Sequence, residues 1–83
     1  MTIEEYVKGK MVNTFGLWPE DTVPVMEAVK QQAGDSMSGR WSDDIEGYPT
    51  GLLTHFILTA KDEARKWGRA NKPQAFWLVL LES

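Results

Sequence analysis

The segment Pro49–Ala70 constrains this chain most, because its apolar residues repeat with a helical period over about five turns. At about 100° per residue, Leu52, Leu53, Phe56, Ile57, Ala60, Ala64 and Trp67 share an arc of roughly 140°. A stripe that wide must be covered, so the fold needs further apolar elements laid against this helix. Pro49-Thr50 opens it. Asn71-Lys72-Pro73 closes it, since the residue before a proline avoids the helical region.

Two shorter helices supply cover. Thr2-Ile3-Glu4-Glu5 has the form of a capping box, which predicts a helix to about Phe15. Ile3, Val7, Met11 and Phe15 fall on one of its faces, and Glu4 and Lys8 form a favourable i,i+4 pair. Gly16 stops it. Leu17-Trp18-Pro19 reads as a turn carrying an apolar plug. Asp21 or Thr22 is expected to cap a second helix, whose first turn tolerates Pro24 and whose inner face is Met26, Val29 and Ala33. Gly34-Asp35 ends it. The tail Gln74–Leu81 fits either a short helix with Pro73 at its first position or an apolar strand. No second strand exists for it to pair with, which favours helix. The expected fold is all-α: three helices plus a short C-terminal apolar segment, with residues 1–83 forming one helical domain.

A chain of 83 residues buries only about 60–65% of its unfolded surface, so its core must be efficient. Four Trp, three Phe and two Tyr help, because large rings cover much area per residue. The absence of cysteine excludes disulfides and thiolate metal sites and fits a reducing cytoplasm. The acidic start MTIEEYV lacks the order of a signal peptide, and the longest apolar run, Ala75–Leu81, is too short to span a bilayer. A cytoplasmic location is therefore expected.

Charge is unevenly spread. Residues 1–46 carry nine acids and four bases, a net −5, whereas residues 47–83 carry three acids and five bases, a net +2. The acidic total argues against general coating of nucleic acid, and the dipole suits a molecule that offers one face to a basic partner.

Ser38–Pro49 has neither helical nor strand period, yet it holds an arginine, two large aromatics and three carboxylates. Its composition is unlike that of a Gly/Ser linker and predicts an ordered loop, where function commonly sits. Arg40, Trp41 and Tyr48 combine a cation with flat rings, a pattern suited to gripping a partner. The plainer alternative is that Trp41 and Tyr48 plug the core. Asp43, Asp44 and Glu46 do not have the spacing of a calcium loop, so no metal is expected; Asp43 or Asp44 is expected to cap a short turn and the others to face water or a basic partner. On the long helix, Lys61, Arg65, Arg69 and Lys72 fall within about 80°, beside the apolar arc. That row could hold phosphate or an acidic surface, or simply form a solvated flank. Leu58 lies within the basic row and Glu63 within the apolar arc, each against its local pattern.

Catalysis finds no support. His55, the only histidine, has no nucleophile motif or zinc-type partner, and Gly34–Gly39 lacks the lysine and context of a phosphate loop. No catalytic residue and no cofactor are expected.

The pattern G-R-W-x-D-D-x-E-G-Y-P at Gly39–Pro49, followed by A-N-x-P at Ala70–Pro73, resembles small accessory proteins of tailed phages and prophages. The likeness runs over most of the chain. It implies a context in the host cell, where such proteins commonly act as inhibitors or sequestering agents aimed at host machinery, including anti-CRISPR and other anti-defence proteins, with a structural or regulatory phage role as the alternative. Together these features lead to the expectation of a non-catalytic binding protein. It would dock on a host or phage protein or nucleoprotein complex through Arg40, Trp41, Asp43, Asp44, Glu46, Tyr48, Lys61, Arg65 and Arg69. The rival expectation is sequestration of a nucleotide by the basic row and Trp41. The apolar tail Phe76–Leu81 makes a symmetric homodimer a further expectation.

Overall fold

The capping box at Thr2 forms as the sequence implies. The Thr2 hydroxyl accepts from the Glu5 amide (3.1 Å), and the Glu5 carboxylate accepts from the Thr2 amide (2.9 Å). It opens α1, Ile3–Asn13, whose Ile3, Val7 and Met11 are fully buried. After α1 the chain turns through Gly16 at φ +77°, with the Leu17 amide returning to the Met11 carbonyl (3.0 Å). A single turn of 3-10 helix, Pro19–Asp21, leads into α2, Thr22–Ala33. A second, Asp35–Met37, leads into the central loop Ser38–Pro49, and a third, Ile45–Gly47, nearly ends it. The long helix α3 spans Thr50–Asn71, and α4 spans Phe76–Glu82. The computed structural model describes residues 1–82, with side chains through Leu81.

The fold is all-α, and no strand occurs among the described residues; Thr2 and Asp44 form one isolated antiparallel bridge. The core is a single cluster to which all four helices contribute. α2 and α1 pack on α3, and α4 packs back along the C-terminal half of α3. Phe56, Ala60, Glu63, Ala64 and Gly68 are the buried positions of α3. Gly68 is the point of closest approach: the Trp77 ring lies over it and stacks on Trp67 with centroids 6.2 Å apart.

Two local expectations need correction. Neither Asp21 nor Thr22 caps α2 with its side chain. The Thr22 hydroxyl instead donates to the Pro19 carbonyl (2.6 Å), and the buried Asp21 carboxylate accepts from Lys72 Nζ (2.9 and 3.0 Å) across a separation of 51 residues. A charge with that partner available gains more from it than from one amide. The tail is helical, but it starts at Phe76 rather than Pro73, after a turn in which the Ala75 amide bonds to the Lys72 carbonyl. α4 turns Trp77, Leu78 and Leu81 inward and leaves Phe76, Val79 and Leu80 exposed.

Candidate docking surface

A helix begins with amides that have no partner inside the helix. At α1 the central loop supplies two of the missing acceptors. The Ile3 amide donates to the Asp43 carbonyl (2.9 Å) and the Glu4 amide to the Trp41 carbonyl (3.0 Å). Thr2 and Glu5 satisfy the other two through the capping box. In return the Ile45 amide donates to the Met1 carbonyl (3.1 Å). The loop is therefore clasped to the start of α1 by main-chain bonds, and Trp41 pins it from below. Trp41 is only 7% exposed, with its ring tilted against Phe56 at 5.0 Å.

Side chains brace the loop further. Tyr48 Oη donates to Asp43 (2.9 Å), and Asp44 accepts from the Glu46 amide (2.9 Å) and meets the Met1 amine (3.3 Å). The Glu46 amide, followed by that amine, holds the Asp44 carboxyl below the usual range. Glu4 is also held low, first by its bond to Lys30 (2.7 Å) and then by Lys8 (3.4 Å), which ties α1 to α2 beside the loop.

These contacts sort the expected site residues. Trp41 is part of the core and offers a partner almost nothing. Tyr48 is half-buried and Asp43 is engaged with it, so both serve the loop's shape first. Arg40 and Glu46 are exposed, and among the described residues neither forms an ion pair. On one side of the loop lies an open groove of ≈ 580 Å³, bordered by Glu27 and Asp35 as well as the Glu4–Lys30 pair. Its acidic character depends on the folding of α2 against the loop, and only Asp35 lay close enough in sequence to suggest it.

The basic row runs from the middle of α3 to just past its C-terminus. Arg65 reaches over to donate to the Leu81 carbonyl (3.0 Å) and lies 3.8 Å from Asp62. Lys72 is engaged by Asp21. Lys61 is half-buried, and Arg69 is exposed on the last turns of α3. Trp41 meets α3 at Phe56, nine residues before Arg65, which is about 14 Å along the axis. Trp41 is moreover only 7% exposed, so it offers a base little area to stack on.

His55 is exposed on α3. Among the described residues no three His, Cys, Asp or Glu side chains converge on a point that could hold a metal ion. Among the described residues no helix is long and apolar enough to cross a membrane. Comparison with known proteins finds no matching family model, no matching curated protein and no matching solved structure.

Proposed function

We propose that this chain is a stoichiometric binding protein, acting without catalysis, that docks on a basic surface of a macromolecule through its central loop. One observation carries the reading: a loop fastened by main-chain bonds to α1 leaves Arg40 and Glu46 exposed, and its Ser38, Gly39, Trp41 and Ser42 border an acidic groove. A surface ordered before binding loses little conformational entropy when a partner arrives. The exposed acids Glu27, Asp35 and Glu46 complement basic groups, and such complementarity sets partner choice and association rate. Proteins that handle nucleic acid carry basic surfaces of that kind. The likeness of Gly39–Pro49 to phage accessory proteins adds the context of an inhibitor aimed at host machinery, with anti-defence proteins as one class.

Affinity capture from bacterial host lysate tests this. A single protein should be retained in stoichiometric amount, displaced by added duplex nucleic acid, and released as salt rises. Retention should fall at least tenfold with Arg40→Ala and with Glu46→Lys. The reading fails if both variants capture as well as the parent, or if Arg69→Ala alone abolishes capture.

A further inference from the structure

The described residues include two buried carboxylates, and they are treated very differently. Asp21 has an ammonium at 2.9 and 3.0 Å. Glu63, with 9% exposure, has only Lys66 Nζ at 3.5 Å, the outer limit of a hydrogen bond, and Lys66 is itself 68% exposed. The Glu63 side chain is thus largely covered while its carboxylate opens onto a pocket and is only loosely paired. An apolar residue at this position of α3 would simply join the core stripe. Glu63 is therefore an acid whose one cationic neighbour holds it loosely and can be replaced by a closer one.

Glu63 lines a cavity of ≈ 290 Å³ between α2 and α3. The Thr59 hydroxyl there donates to the His55 carbonyl (3.0 Å), which leaves its lone pairs free to accept. Gln32 contributes an amide, and Val29 and Phe56 form an apolar wall. The volume lies just below the range of pockets that enclose drug-sized ligands, but it suits one long side chain. Acceptors grouped beside an apolar wall match a guanidinium at the end of a methylene stem. The cavity shares Gln32, Ala33, His55 and Phe56 with the groove lined by Arg40 and Tyr48, so it opens beside the loop.

We infer that this cavity receives an arginine side chain of the basic partner, with Glu63 as its counter-ion. The inference rests on the docking reading for the identity of the partner. On binding, Lys66 swings into solvent and the guanidinium takes its place against the carboxylate, where a forked, charge-assisted contact replaces a 3.5 Å one.

Titration of the full-length protein with Nα-acetyl-L-arginine amide, followed by 15N–1H NMR, tests this without any partner. Saturable shifts are expected at the Thr59 and Glu63 amides and the Gln32 side chain, with an affinity of about millimolar for so small a probe. Glu63→Gln should weaken binding at least tenfold while melting no lower than the parent. Glu63→Met serves as a second folded variant with the same expected loss. The proposal is overturned if no saturable shifts occur, if both variants bind as the parent does, or if Nα-acetyl-L-lysine amide binds equally well. A negative result removes the arginine pocket alone, because capture from lysate tests the docking surface separately.

Discussion

Two glycines in helix interiors should respond in opposite ways to alanine, and the contrast measures how α4 is held. Gly9 lies within α1, where an added Cβ meets nothing within 4 Å. Gly9→Ala should therefore stabilise by about 0.5–1 kcal/mol, the usual gain in backbone entropy and helix propensity. Gly68 lies within α3 and would gain the same term. Its added Cβ, however, would lie 2.7 Å from Trp77 Cη2, 3.2 Å from Trp77 Cζ3 and 3.0 Å from Leu78 Cδ1. Carbon atoms prefer about 3.5–4.0 Å, so α4 or the Trp77 ring must move by nearly an ångström. The ring cannot retreat easily, because it is buried and stacked on Trp67. Overpacking of this kind costs about 1–3 kcal/mol. The two variants should then differ by about 1–3 kcal/mol, with Gly68→Ala the less stable. That difference corresponds to roughly 4–8 °C in Tm per kcal/mol for a domain of this size. Urea and thermal unfolding followed by far-UV circular dichroism give both values. Equal stabilisation by the two substitutions would refute the placement of Trp77 over Gly68, and with it the docking of α4.

The Asp21–Lys72 pair should be asymmetric. Lys72→Met strands a buried carboxylate and should cost about 2–4 kcal/mol in urea unfolding, whereas Asp21→Asn leaves a 42%-exposed lysine free to hydrate and should cost less; equal costs would show that Asp21 has another partner. Glu4, Glu5 and Asp44 all have lowered carboxyl pKa values: Glu4 first through Lys30, Glu5 first through the Thr2 amide, Asp44 first through the Glu46 amide. Groups depressed on folding contribute fully above their unfolded values of about 3.9 (Asp) and 4.3 (Glu), and lose that contribution as pH falls through the folded ones. The urea midpoint should therefore hold above about pH 5 and drop below about pH 4, and a triple Glu4→Gln, Glu5→Gln, Asp44→Asn variant should show a shallower drop. Trp41→Ala should cost about 3–5 kcal/mol as a core truncation, so any loss of binding it causes should track unfolded protein measured by circular dichroism.

Much of the architecture is legible because helices announce themselves locally. The capping box at Thr2, the period of Leu52–Trp67 and the stop at Gly34 each involve residues within a turn or two of one another, and each appears where expected. The start of α4 is not legible in the sequence, because Pro73 can open a helix as readily as it can precede one, and only packing of Trp77 and Leu78 on α3 chooses. Site residues are less legible, since their roles depend on distant partners. Nothing near Asp21 in sequence announces Lys72. Nothing in Asp43 or Trp41 announces that their main-chain carbonyls complete α1, because backbone acceptors have no residue code. The basic row has the right helical spacing, but spacing alone does not reveal that Arg65 reaches the Leu81 carbonyl at the end of α4. Glu63 was conspicuous as an acid within an apolar arc. The weakness of its pairing became visible only with Lys66 in place.

The docking reading depends on a loop held in one shape before any partner arrives, and amide hydrogen exchange measures that directly. The Ile3, Glu4 and Ile45 amides, which form the clasp, should exchange as slowly as the Met11 amide in the body of α1. Exchange of those three at the rates of an unstructured peptide, with Met11 still protected, would contradict the account: the helices would be intact and the loop unfastened.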